Sequence, residues 1–114
     1  MRVLVCGGRE FCDWGLLNGV LSNVEDIYGI DLIIQGEAKG ADWLAKAWAK
    51  WSGIKCVGFP ADWKNHKYGA GPIRNQQMLD EGKPDLGVVF PGGSGTADMT
   101  ARLKKAGVKV IEVD

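Results

Sequence analysis

The chain is short of cysteine, histidine and net charge, and each shortage removes a class of function. Its three cysteines, Cys6, Cys12 and Cys56, are odd in number and form no CxxC pair. That pattern argues for reduced thiols in a cytosolic setting and against a disulfide frame or a zinc site. The lone His66 has no partner at metal-ligand spacing, so no metal is expected. Fourteen Lys and Arg balance fourteen Asp and Glu, so composition gives no sign of a polyanion-binding surface. No apolar run is long enough to cross a bilayer, and Val3-Leu4-Val5 is too short for a signal peptide or an anchor. A cytoplasmic protein with no membrane partner is the expectation. Repeats, low-complexity tracts and linkers are also missing, and 114 residues suit one domain spanning 1–114.

Glycine is what the chain has in surplus, at 17 residues. In a small domain that surplus means tight turns and close backbone contacts.

Short apolar runs alternate with helical patterns from end to end. Strands are predicted at Arg2–Cys6, Asp31–Gln35, Ile54–Gly58, Asp85–Phe90 and Lys109–Val113. Helices are predicted at Asp13–Tyr28, Ala41–Ser52, Pro72–Glu81 and Thr96–Ala106, with Leu16, Leu17, Val20, Leu21 and Val24 inward on the first. Gly29, Gly53, Gly82 and Gly107 each fall just after a helix, where C-terminal cap residues belong. Phe59–Gly71 is the longest irregular stretch. Cys6 and Cys56 read as small residues of buried strands. Alternation of this kind means parallel pairing and right-handed crossovers. The fold class is therefore α/β: a Rossmann-like open parallel sheet of about five strands with helices on both faces.

Ligands of such sheets bind beyond the carboxyl ends of the strands. The first four strands lead into four loops: Gly7-Gly8-Arg9, Gly36 to Asp42, Phe59 to Trp63, and Pro91 to Thr96. All carry glycine or proline with charged, hydroxyl or aromatic groups. The last is the most informative. Pro91-Gly92-Gly93-Ser94-Gly95-Thr96 joins a buried strand to a helix start, where free backbone N–H groups and the positive end of the helix dipole favour an anion. Ser94 and Thr96 add hydroxyl donors, and Thr96 also suits a helix cap. A P-loop is excluded for want of GxxxxGK, and GxGxxG fails because Asp98 stands where its last glycine belongs.

These residues resemble a known family. Pro91 to Thr96 is similar to the PGGxGT motif of the SLOG superfamily, and Gly36-Glu37-Ala38-Lys39-Gly40-Ala41-Asp42 to its GxAxGxD turn. Together with Val5 to Arg9, Phe59 to Trp63 and Ala70 to Asn75, they resemble the YspA-like SLOG branch, whose members occur in bacteria and phages. The resemblance implies a Rossmann-like fold and binding of a nucleotide or nucleotide-derived ligand. It also implies a homo-oligomer, and no cofactor is expected. In the related LOG phosphoribohydrolases the glycine motif leads into a catalytic glutamate, and an arginine in an RKxxM helix assists cleavage of an N-glycosidic bond. Arg74-Asn75-Gln76-Gln77-Met78 resembles that helix with its lysine replaced, but the glutamate position is Met99, which transfers no proton. Arg74, Glu37 and Asp98 are the remaining candidates for a catalytic role.

Each candidate has a plain structural alternative. Asp42 at a helix start suits a cap as well as a ribose contact. Arg74 near a helix start opposes the dipole and needs an anionic partner, either a phosphate or Asp98 or Glu37. Arg9 reaches a phosphate or solvent. Trp63, beside Asp62, is the candidate for stacking on a base, whereas Trp48 with Leu44 and Trp51 reads as core or subunit interface. The reading is a nucleotide-ligand-binding domain with phosphate on Gly92 to Thr96, Arg74 and Arg9 neutralising charge, and Gly36, Lys39, Gly40 and Asp42 near the ribose. Phosphoribohydrolase activity is the first alternative. Single-stranded nucleic acid is the second and is not expected, because the chain lacks a basic, aromatic-rich groove.

Overall fold

A computed structural model describes residues 1–114. Five strands, β1 (Arg2–Cys6), β2 (Leu32–Gln35), β3 (Lys55–Gly58), β4 (Leu86–Val89) and β5 (Lys109–Glu112), form one parallel sheet in the order β3-β2-β1-β4-β5. The helices are α1 (Trp14–Tyr28), α2 (Ala41–Ser52), a single turn α3 (Trp63–His66), α4 (Ala70–Gly82) and α5 (Ser94–Lys105).

Alternation along β1 divides the interior in two. Val3 and Val5 face one side of the sheet, where Leu17, Leu21 and Val24 of α1 and Ala45, Trp48 and Ala49 of α2 cover them. Leu4 and Cys6 face the other, against Met78 of α4 and Met99 and Leu103 of α5. Trp48 is core, its indole N–H donating to Asn18 Oδ1 at 3.0 Å. Trp51, predicted with it, is exposed and packs edge-on against Trp14 at 6.2 Å.

Three predicted details are corrected. Cys56 is exposed, because β3 lies at the sheet edge and neither core cluster includes it. Gly82 is the last residue of α4 and not its cap; Lys83 takes the left-handed position at φ 51°, while Gly82 packs closely on Ile34. Phe59–Gly71 is largely helical. Asp62 accepts from the Asn65 N–H at 3.2 Å to start α3, and a 3-10 turn at Lys67–Gly69 runs into α4, which begins before Pro72. Asp13, by contrast, caps α1 through the Leu16 N–H at 3.0 Å, one residue ahead of that helix.

No helix is long and apolar enough to cross a membrane.

Candidate functional site

The strand order reverses between β1 and β4, so the loops leaving these two neighbours must part to opposite faces of the sheet. Crevices open at that point. Here the two loops are stitched together before they diverge: the Gly8 N–H donates to Pro91 O at 2.8 Å. A Cβ on Gly92 would overlap the Thr96 hydroxyl and Gly8 N. Gly92 is therefore glycine because the loops meet there. Gly93 and Gly95 differ, with open space where a side chain would stand.

α5 begins at Ser94 with Gly93 as its cap residue, and no side chain caps it. Thr96 thus lies in the first turn and is not the cap. Its hydroxyl faces Gly92. The first helical N–H with a backbone acceptor is that of Ala97, to Gly93 O at 3.0 Å. The N–H groups of Ser94, Gly95 and Thr96 have none, as helix geometry requires.

A cleft of about 610 Å3 lies in front of this turn. Gly7, Gly8 and Arg9 border it from β1, and Asp42 from α2. Trp63 and Tyr68 stand over it from the α3 region. Arg74 and Asn75 enter from α4, facing Gly93 to Thr96 and Asp98 of α5. Met99 also borders it, deep in the second core and almost wholly buried. Glu37, Gly36, Lys39, Gly40, Asp62, Pro91 and Gly92 are not part of its lining.

Glu37 is turned away by a left-handed φ of 58°. It takes hydrogen bonds from the Gln35 side chain and from Lys46, the latter at 3.0 Å, and both hold its carboxyl below the usual range. Asp98 accepts from Arg102 Nε at 2.8 Å and Asn75 Nδ2 at 2.9 Å, and the Arg102 bond above all keeps it ionised to lower pH than usual. Neither carboxylate is free for proton transfer in this arrangement.

Asp42 is the exception. Burial pushes its pKa up to about 6, against the opposing pull of the Ala38 N–H, Arg74 and the Gly36 N–H. Both amides donate to its Oδ2 at 3.2 Å, so Asp42 closes the Gly36–Asp42 turn.

Arg74 is the more buried of the two cations of the cleft, Arg9 being exposed. Its Nη1 donates to Gly36 O at 2.5 Å and its Nε to Asn75 Oδ1 at 3.0 Å. None of the chain's four ion pairs includes it. Burial and the neighbouring charge of Arg9 lower its pKa, and Asp42 opposes them. The Arg74 guanidinium is therefore partly desolvated at the cleft wall with no ion-paired carboxylate, a setting in which a charge-assisted hydrogen bond is strong. The Arg9 guanidinium, also without an ion pair, lies 5.7 Å from the centre of the Trp63 ring.

Sequence reasoning overlooked Cys6, Ala38, Gly71, Pro72 and Met78 as cleft lining. Cys6 and Met78 look like ordinary core positions, and only the packing of α4 beside the end of β1 brings them to the cleft. His66 and Lys67 are exposed and outside the cleft, while Tyr68 is part of it.

Residues 1–66 match the family described as YspA, cpYpsA-related SLOG family. That stretch carries Gly7 to Arg9, the Gly36–Asp42 turn and Trp63, and stops short of Arg74 and the Pro91 loop. The chain is also similar to the gene 61 protein of Mycobacterium phage D29, at 36% identity over 123 aligned positions, covering 96% of this chain and 94% of that protein. Among solved structures it is similar to DNA processing protein A (DprA) from Streptococcus pneumoniae, with a TM-score of 0.61 and 18% identity. That likeness covers 96% of this chain and 57% of the DprA chain, and it concerns the fold.

Proposed function

The chain belongs to the YspA, cpYpsA-related SLOG family, and from that premise we propose that it binds a nucleotide or nucleotide-derived ligand in the cleft between β1 and β4. The ligand's phosphate lies on the first turn of α5, Arg74 and Arg9 neutralise it, and Trp63 covers the base. One observation carries the reading: Arg74, half-buried and without an ion pair, borders the same cleft as the unclaimed N–H groups of Ser94, Gly95 and Thr96. Two independent anion-seeking features converge, where either alone is common in helical proteins. The near-neutral surface favours a small ligand over a long polyanion.

Thermal-shift screening with mononucleotides, ADP-ribose, cyclic nucleotides and sugar phosphates tests this. Stabilisation by nucleotides is expected. Arg74→Ala weakens it about tenfold to a hundredfold, the loss of one charge-assisted hydrogen bond. No stabilisation by any of these compounds removes the reading.

Asp42 supports a second reading, hydrolysis of the N-glycosidic bond of a nucleoside monophosphate. A carboxyl titrating near 6 beside an arginine is a candidate acid or base. Water would add across the bond to give free base and ribose 5-phosphate. Chromatography of protein incubated with the four mononucleotides decides it, since intact nucleotide after prolonged incubation excludes turnover.

The exposed Trp14–Trp51 pair supports association of two or more copies, which native mass spectrometry resolves.

A further inference from the structure

The cleft does not end at Arg9. Beyond that residue a second hollow, of about 380 Å3, opens between the β1–α1 loop and the start of α2. Arg9 borders both hollows and forms the ridge between them. Its backbone is held there by a single acceptor. The Gly8 carbonyl takes the Phe11 N–H and the Ala41 N–H, each at 3.2 Å, and so pins the loop across the first turn of α2. The close approach demands Gly40, at φ 93°, because a Cβ at that position would overlap Gly8 O and the Arg9 backbone.

Each hollow presents an aromatic face. Trp63 borders the first at 49% exposure, and Trp43 the second at 55%. Trp43 is not a loose surface side chain, since its indole N–H donates to Glu37 O at 3.1 Å, which fixes the ring while leaving it accessible. Lys39 stands in the same lining, and neither it nor Arg9 makes an ion pair. Glu10 supplies one carboxylate, so the second hollow carries two cations against one anion. Aromatic ring, unpaired guanidinium, aromatic ring is the order in which two bases joined through a phosphate present themselves. Rings offer stacking to any base, and a guanidinium suits the phosphate between them.

We propose that the ligand comprises two nucleotide units joined through phosphate: the first base at Trp63, the linking phosphate at Arg9, and the second base on Trp43 beside Lys39. This rests on the nucleotide reading above and adds a second subsite to it. The surplus of one positive charge in the second hollow suits one bridging phosphate and gives a longer strand nothing to track along.

Calorimetric titration with the four 5′-mononucleotides, the matching 5′-phosphorylated homodinucleotides and the matching homodecamers tests it. For the preferred base the dinucleotide binds about tenfold tighter than the mononucleotide, the gain of one stacked base. Trp43→Ala brings that ratio to about one, Trp43→Phe keeps most of it by retaining a ring, and Trp51→Ala leaves it unchanged. Equal affinity for mono- and dinucleotide overturns the second subsite and leaves the nucleotide reading standing. Binding of neither removes both. A decamer offers nine dinucleotide registers and gains about ninefold from that alone, so only a gain of about a hundredfold or more over the dinucleotide overturns the two-unit limit in favour of a single strand.

Discussion

Asn75 donates its side-chain amide to the Asp98 carboxylate at 2.9 Å, and the same side chain receives Arg74 Nε at 3.0 Å. One buried amide thus joins α4 to α5 and sets the direction of the neighbouring guanidinium. Its Nδ2 also reaches Gly95 O at 3.3 Å, in the first turn of α5. Asn75 is a positioning residue for the cleft. Asn75→Ala leaves Asp98 with one partner fewer and Arg74 held by Gly36 O alone, and urea denaturation should show a loss of about 2 kcal/mol. Nucleotide affinity should fall further than that of a variant at least as destabilised at a distance from the cleft, such as Leu21→Ala.

Gly92 and Gly95 are three residues apart yet should respond in opposite ways. A methyl at Gly92 meets the Thr96 hydroxyl and Gly8 N, so Gly92→Ala should cost about 1–3 kcal/mol in thermal or urea unfolding. Gly95 faces open space inside a helix, so Gly95→Ala should hold or raise stability by up to about 1 kcal/mol. With a ligand seated on that turn, the same methyl lowers affinity. Unchanged nucleotide affinity in Gly95→Ala would place the phosphate elsewhere.

Asp42 makes stability fall as pH rises across a defined window. Its folded pKa, about 6, lies above the ordinary 3.8, so between those values the folded state holds the extra proton. The contribution is greatest below 3.8 and is lost as pH climbs through about 6. Two pKa units correspond to about 3 kcal/mol. Glu37 and Asp98, both shifted down, act in the opposite sense. The measurement is therefore the difference in unfolding free energy between the parent protein and Asp42→Asn, monitored from about pH 4 to pH 7. A flat difference would show that the carboxyl is not desolvated as the fold implies.

The three thiols should separate kinetically. Cys12 is exposed, Cys56 is exposed at the sheet edge but raised by partial burial, and Cys6 is buried with its pKa pushed up to about 12. With a thiol reagent at about pH 8, two groups should react in the native state, Cys12 first, and the third only on unfolding. Fast reaction of all three would contradict the packing of Cys6 beneath the cleft.

Much of the fold is legible in the sequence because its signals are local. The strand–helix alternation and the inward Leu17, Leu21 and Val24 come from hydrophobic period within a few residues. Arg74 is legible too, since a cation near a helix start calls for an anion. Glu37 is not. Its motif neighbours point toward the cleft in sequence, but a left-handed φ and the pull of Gln35 and Lys46 turn it aside. Cys56 misleads because an apolar residue in a short strand gives no sign of whether that strand lies at the centre or the edge. The helical turns at Trp63–Gly69 stay hidden because no apolar period marks them.

Chain order alone determined that this protein is a parallel α/β sheet and that its turn-rich loops come after the strands, since hydrophobic period and turn residues act over one or two turns of backbone. Only the folded arrangement decided which loops meet. Placing β4 beside β1 brings Pro91 onto Gly8 and opens the cleft in front of α5, and crossing the β1 loop over α2 puts Arg9 on the edge of both hollows. Contacts between residues far apart along the chain depend on strand order and close packing, which no local pattern encodes.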